Sequence, residues 1–401
     1  MQKRAISGLS SRRATLSAPG LHRRIGVART RHKPSRCVRY AVVGAGYIAQ
    51  ADVLPAFRHA RRNSRLVALF SDDPTKRREL GRKYKIPTVA AYTDFDAILG
   101  DGQIDAVYLA LPNSMHKEFA IRAAKAGVHV LCEKPLAVTE RECRQMIDAC
   151  QRYHVKLMTA YRLHFDKANL AVVETAKSGK LGSLRYFNSS FSMQVNSPNI
   201  RLEHKMGGGP LYDLGVYCIN AARYLFGDEP SEVVGVTATG SDKRFREVEE
   251  MVGATLRFPG ERLATFVCSF GAADVASYIL AGTKGTVTLE NAFEYAQPIE
   301  MEIAIGDNNR QSRKFAMHDQ FAPELLYFSD CILRNREPEP SGAEGLMDVR
   351  IIEAIYRSAR AGKPVKLEKI SKTKRPSGRQ QIERPPVSEP KLVHAESASR
   401  S

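Results

Sequence analysis

The sequence predicts an α/β chain in two parts: a parallel, doubly wound sheet over residues 39–160, then an α+β domain over 161–366 with a large, mostly antiparallel open sheet. Three observations carry that prediction. The apolar run Tyr40-Ala41-Val42-Val43 passes directly into Gly44-Ala45-Gly46-Tyr47-Ile48-Ala49. Short apolar runs then alternate with helix-period segments as far as residue 160, which is the rhythm of crossover units. Beyond that point helices become sparse, and alternating stretches punctuated by Pro259-Gly260 and Lys284-Gly285 turns take over.

The chain of 401 residues is long enough for two domains with proper cores, and its 43% apolar content is ordinary for a globular protein. No apolar run approaches the roughly 18 residues of a membrane span. The net charge of +18 lies at the ends. Residues 1–39 carry eleven Lys/Arg and no acid, and residues 369–401 carry eight Lys/Arg against three Glu, so the body keeps about two positive charges. That distribution predicts two solubilising arms, disordered over 1–38 and 367–401, and no specific nucleic-acid partner. The first arm has no apolar core for a secretory signal; a transit peptide, an arm on a partner subunit and an upstream start all fit its composition. Seven scattered cysteines without a C-x-x-C predict reduced thiols, a cytoplasmic setting and no metal site.

The first strand ends in G-x-G-x-x-A. Gly44 permits a tight turn, Gly46 lets a pyrophosphate approach the backbone, and Tyr47 and Ile48 open a helix over 48–61 whose N-terminus faces the phosphates. A second strand, 66–70, ends at Ser71, with Asp72 next and Lys76, Arg77 and Arg78 close behind. A hydroxyl backed by cations suits a ribose 2′-phosphate and hence NADP, while Asp72 suits the 2′-hydroxyl of NAD. Helices over 74–84 and 93–99 follow, then a strand over 105–111. Its tip carries Asn113 and His116 where a nicotinamide would pass, although His116 also suits simple helix packing. A helix over 116–126 leads to Val128-His129-Val130-Leu131-Cys132-Glu133-Lys134-Pro135, a buried strand that stops in an acid, a base and a proline. Alone, that octapeptide is best explained as a surface ion pair at a strand end. A helix over 139–153 and a strand over 156–160 complete the first domain.

In the second domain a helix over 166–178 precedes strands at 184–195, 233–239, 251–258, 262–270, 276–281, 285–290 and 299–305, and a helix over 343–361 closes the body. An open sheet of that size needs its free face covered, which predicts a homodimer or homotetramer. Gly207-Gly208-Gly209 lets a backbone come close to something and then starts a helix. Asp213 and Tyr217, four apart, share one face of it. An acid and a phenol near Lys134 at a cleft form a candidate catalytic set.

Together these motifs resemble the family of glucose–fructose oxidoreductase, inositol dehydrogenase and their relatives, over residues 39 to about 366. Leu111-Pro112-Asn113-Ser114, Tyr161-Arg162-Leu163-His164-Phe165-Asp166 and Gly342-Ala343-Glu344-Gly345-Leu346-Met347-Asp348-Val349-Arg350 extend the likeness. The resemblance implies a two-domain NAD(P)-dependent enzyme acting on a sugar or polyol. Tyr217, where many branches carry His, and Ser71 with Lys76 point to the glucose–fructose branch, which holds NADP tightly. That branch is exported through a twin-arginine signal; the absent apolar region here argues against export, and Asp72 departs from its pattern. The implied chemistry has Tyr217 as general base, aided by Lys134 because a free tyrosine has a pKa of about 10. Asp213 orients the lysine or binds a hydroxyl. Glu133 joins the cofactor-binding set, and Arg162 and Arg201 are candidate substrate contacts. Two other readings stay open: a dehydrogenase of a non-sugar diol, and a catalytically silent dinucleotide sensor.

Overall fold

The computed structural model describes residues 37–307, 309–370 and 374–399. The basic arm expected over 1–38 lies almost wholly outside them. Six strands, β1 (Val38–Val43), β2 (Ser64–Phe70), β3 (Thr88–Ala90), β4 (Ala106–Leu109), β5 (His129–Glu133) and β6 (Leu157–Ala160), form a parallel sheet in the order β3-β2-β1-β4-β5-β6. The order reverses between β1 and β4, so the C-terminal strand tips there open a crevice. Helices α1 (Leu54–Ala56), α2 (Pro74–Tyr84), α3 (Phe95–Gly100), α4 (His116–Lys125) and α5 (Glu140–Arg152) connect the strands. The helix expected over 48–61 is instead a π-turn, Ala49–Val53, running into the one-turn α1. Pro55 has no N–H to give to a carbonyl one turn back, so a regular α-helix cannot run through it.

The second domain comprises α6 (Lys167–Lys177), β7 (Leu184–Ser192), α7 (Val216–Phe226), β8 (Glu232–Ala238), β9 (Met251–Phe258), β10 (Arg262–Ser269), β11 (Val275–Gly282), β12 (Gly285–Glu290), β13 (Ile299–Ile305), β14 (Asn309–Phe315), α8 (Ala322–Leu333), α9 (Gly342–Ala361) and β15 (Val365–Lys366). Nine of its strands pair in the order β14-β13-β12-β11-β7-β10-β9-β8-β15, antiparallel except for β7 against β10. Phe187, Phe266, Tyr278 and Leu280 point into the core beneath the helices, while Tyr186, Leu263, Val267 and Val275 stand exposed on the other face.

Two boundaries differ from the sequence-based expectation. Helix α8, within the segment assigned to the second domain, packs on the first sheet: Phe321, Leu325, Leu326 and Phe328 join Tyr40, Leu69 and Tyr108 in one core, and Tyr40 Oη lies 2.9 Å from Ser329 Oγ. The sequence between 315 and 342 carries no sign of which sheet that helix will choose.

The segment after 367 is also not free. Arg375 bonds Glu229 at 2.8 Å, Lys177 Nζ donates to Pro376 O at 2.8 Å, Asp319 N donates to Arg384 O at 3.1 Å, and Ile382 and Val393 pack on the first domain. A Pro- and Ser-rich composition removes periodicity but leaves backbone groups and long cations that find partners on a folded surface.

A buried ion cluster locks α7 to α9. The Arg223 guanidinium is fully buried and donates to Glu229, Glu344 and Asp348, and Tyr161 donates to Asp348. Burial pushes the Asp348 carboxyl up to about 6 against the pull of Arg223.

Candidate active site

The tips of β1, β2, β4 and β5 line up along one edge of the first sheet. At β1, Gly44 has φ +98°, and a Cβ there would lie 2.3 Å from Ala110 O, so only glycine fits. A Cβ on Gly46 would meet nothing within 4 Å. The loop therefore leaves room beside Gly46 at the start of a helical turn opened by Tyr47 and Ile48, where the backbone is open to a pyrophosphate.

At the β2 tip Ser71 is buried, and its Oγ accepts from Asp73 N at 3.3 Å. Arg77, rather than Lys76, reaches it, donating to Ser71 O at 2.5 Å; Lys76 has its backbone N–H capped by Asp73 at 3.1 Å. Asp72 turns away and accepts from Tyr92 N at 2.9 Å.

At the β4 tip Asn113 Nδ2 donates to Gly207 O at 2.8 Å. The triple glycine thus approaches the protein's own backbone: a Cβ on Gly207 would strike Asn113 and Val138, and one on Gly208 would strike Arg201 O at 2.4 Å. His116, expected beside the nicotinamide, is instead completely buried. Its ring nitrogens each lie 3.0 Å from a carbonyl oxygen, of Pro135 and of Leu111, and burial lowers its pKa. It ties the β4 tip to the β5 tip and is a packing residue, not the cofactor contact that its place at the strand tip suggests.

At the β5 tip Glu133 accepts from Tyr108 Oη at 2.6 Å, and burial raises its pKa. The Lys134–Pro135 bond is cis. Lys134 Nζ donates to Asp213 Oδ1 at 2.8 Å and to Asp213 O at 2.9 Å, and lies 4.7 Å from the centroid of the Tyr217 ring. Burial works against its ammonium, but Asp213 and Tyr217 outweigh that and raise its pKa. Asp213 also accepts from Arg201 Nε at 2.6 Å. Burial would raise its carboxyl, yet Arg201 and Lys134 hold it far below the usual range. It is a fixed carboxylate between two fixed cations.

Tyr217 opens α7, directly after a π-turn (Leu211–Gly215) that carries Asp213. Both are half-buried, which leaves them facing the crevice. The phenol oxygen accepts from Arg162 Nε at 3.2 Å. Lys134, expected at the phenol oxygen, sits over the ring face instead, and Arg162 takes the place at the oxygen. Arg162 is itself held by Gln320 and by Phe293 O, and its guanidinium stacks 4.9 Å from the Tyr295 ring.

The structure thus gathers Lys134, Asp213, Tyr217, Arg162 and Arg201 into one cluster opposite the glycine loop. Sequence reasoning missed Tyr295 and Gln320 on loops, Glu324 of α8, which accepts from Tyr108 Oη at 3.4 Å, and Tyr108 itself within β4. It also missed Gln50, one helical turn after Gly46, whose spacing gave a usable signal.

A parallel sheet with a glycine cradle at its switch point, facing a lysine–carboxylate–tyrosine cluster from an antiparallel domain, defines a dinucleotide-dependent oxidoreductase. Family models place the two halves: residues 38–161 match the NAD-binding Rossmann fold of the Gfo/Idh/MocA oxidoreductase family, and residues 174–367 match its C-terminal alpha/beta domain. The chain belongs to that family. It is 33% identical over 333 residues to an uncharacterized oxidoreductase of Rhizobium meliloti, covering 81% of this chain and 98% of that one. It is 29% identical to a D-xylose 1-dehydrogenase (NADP(+)) of Haloferax volcanii, covering 82% and 99%. Among solved structures, the aldose-aldose oxidoreductase from Caulobacter crescentus complexed with glycerol is 40% identical with a TM-score of 0.79, covering 83% of this chain and 100% of that chain. None of the helices among the described residues is long and apolar enough to cross a membrane.

Proposed function

We propose that the protein oxidises a CH–OH group of a sugar or polyol, an aldose to its lactone, using NADP, with NAD as the lesser alternative. The observation that carries the reading is the Lys134–Asp213–Tyr217 cluster at the β5 tip, opposite the open cradle at Gly46. The bound cofactor supplies the hydride acceptor. Tyr217 takes the proton of the reacting hydroxyl. The Lys134 ammonium over its ring and the Arg162 guanidinium at its oxygen favour the phenolate form that accepts this proton. Asp213 holds Lys134 and Arg201 in place, and Arg201 lies on the loop where a second hydroxyl would be bound. The choice of NADP rests on Ser71, on the Arg77 guanidinium beside it and on the engagement of the Asp72 carboxylate by Tyr92 N.

The test is direct: purified protein with NADP is offered aldoses and cyclic polyols, and the nicotinamide absorbance is followed. Reduction by an aldose is the expected result. A protein that binds the dinucleotide but reduces it with neither class is the silent sensor instead.

We further place a second copy of the chain over the open face of the nine-stranded sheet. Leu263 and Tyr186 are cross-strand neighbours on β10 and β7, Val267 and Val275 lie on the same face, and all four are exposed. Exposed apolar side chains set among Asn188, Ser190 and Thr265 on a broad open sheet suit an interface between copies. Sedimentation should show a dimer or tetramer, and the pair Leu263→Glu, Val267→Lys should shift it to monomer; a monomeric parent chain overturns the assignment. Six free cysteines, all of them buried, accord with a cytoplasmic enzyme.

A further inference from the structure

The last described residues cross the dinucleotide groove. Gln50 Nε2 donates to Ala45 O in the glycine loop at 2.8 Å and to Val393 O at 2.9 Å, and Gln50 Oε1 accepts from Val393 N at 2.8 Å. One buried amide thus joins the phosphate loop to the C-terminal segment. The next residue, His394, has Nδ1 2.8 Å from Asp73 Oδ2, at the carboxylate that caps α2 beside the β2 tip. Four residues later, Ala398 is buried and its carbonyl accepts from Asn196 N at 2.8 Å, in the second-domain loop that leads to Arg201. Lys83 Nζ fixes the near end through Lys391 O at 3.1 Å. The segment is therefore anchored on the adenosine side, at the phosphate loop and on the substrate domain. Between His394 and Ala398 it can span at most about 14 Å.

We propose that residues 391–398 are a strap forming the outer wall of the cofactor site, and that this strap retains the dinucleotide once it is bound. The inference rests on the dinucleotide reading above. Two observations distinguish a strap from a plug. A Cβ on Gly46 would meet nothing within 4 Å, so the segment does not press on that glycine. His394, Glu396 and Ser397 are exposed, so its outer side faces solvent while Ala398 is tucked in. Its polar anchors are one or two hydrogen bonds each, weak enough singly to break for cofactor exchange and jointly slow to release. The family model ends at residue 367, so the strap is an addition to the shared catalytic body.

The test compares the full chain, a chain lacking residues 391–401, and Val393→Pro, which removes the N–H given to Gln50. Each is loaded with NADP in its reduced, fluorescent form, and release is timed by the change in nicotinamide fluorescence after chasing with excess oxidised NADP. Both variants should release NADP at least about tenfold faster than the full chain. Equal release from all three, or tighter NADP binding by the shortened chain, overturns the strap while leaving the dinucleotide reading intact. A full chain that binds neither NADP nor NAD overturns both. Should the shortened chain not fold, Val393→Pro decides by the same rates.

Discussion

Tyr217→Phe is expected to lower kcat by about 10²–10⁴-fold while leaving dinucleotide affinity and folding almost unchanged. The phenol oxygen is the one group of the cluster that both faces the crevice and is able to accept a proton from a bound hydroxyl. Lys134 and Arg201 are cations held by Asp213, and Asp213 is kept ionised and doubly occupied by them. The ring itself packs against Phe191 at 5.6 Å and Phe293 at 6.0 Å between centroids, and phenylalanine keeps those contacts. Arg162, deprived of the phenol, still has Gln320 and the Phe293 carbonyl. A loss confined to kcat with an unchanged melting temperature is the signature sought; full turnover by the variant would remove Tyr217 from the mechanism.

Arg223→Met is expected to be the most damaging single change away from the crevice. The guanidinium faces Glu344 and Asp348 and shares Glu229 with Arg375, and replacing it leaves the buried Glu344 and Asp348 carboxyls facing one another. Breaking one side of such a cluster costs about 3–5 kcal/mol, a fall in melting temperature of about 4–6 °C for a chain of this length. The loss should depend on pH in a definite direction. The Asp348 pKa, already about 6 in the folded protein, lies above the ordinary carboxylate value, and without Arg223 it rises further. A carboxyl whose folded pKa is raised binds a proton that the unfolded chain releases. The variant therefore loses stability as pH rises through that folded value and regains part of it between pH 7 and 5. Melting curves at the two pH values check this; an equal deficit at both would show that packing, not charge, dominates.

Much of the site was legible because its chemistry sits on local signals. The G-x-G-x-x-A loop, the strand that stops at Glu133-Lys134-Pro135 and the triple glycine before Asp213 and Tyr217 are short-range patterns, and each lies where the pattern placed it. Helix α2 spans the predicted residues 74–84, because Asp73 caps it and Pro74 fits its first position. The strand β14 escaped because Asn-Arg-Gln-Ser-Arg-Lys-Phe is polar on both faces and pairs only at a sheet edge. His116 was misread because a histidine at a strand tip looks the same in sequence whether it faces a ligand or two carbonyls.

The sequence by itself determined the fold class, the order of the two sheets and the identity of the chemical groups, since periodicity, glycine geometry and strand length act over a few residues. Only the tertiary structure decided which charges meet. It set Arg162 at the Tyr217 oxygen and Lys134 over its ring, turned Asp72 toward Tyr92, sent α8 to the first sheet and laid the C-terminal segment across the groove. Those choices join residues up to 343 positions apart. They depend on where two independently formed sheets come to rest, which no local pattern encodes.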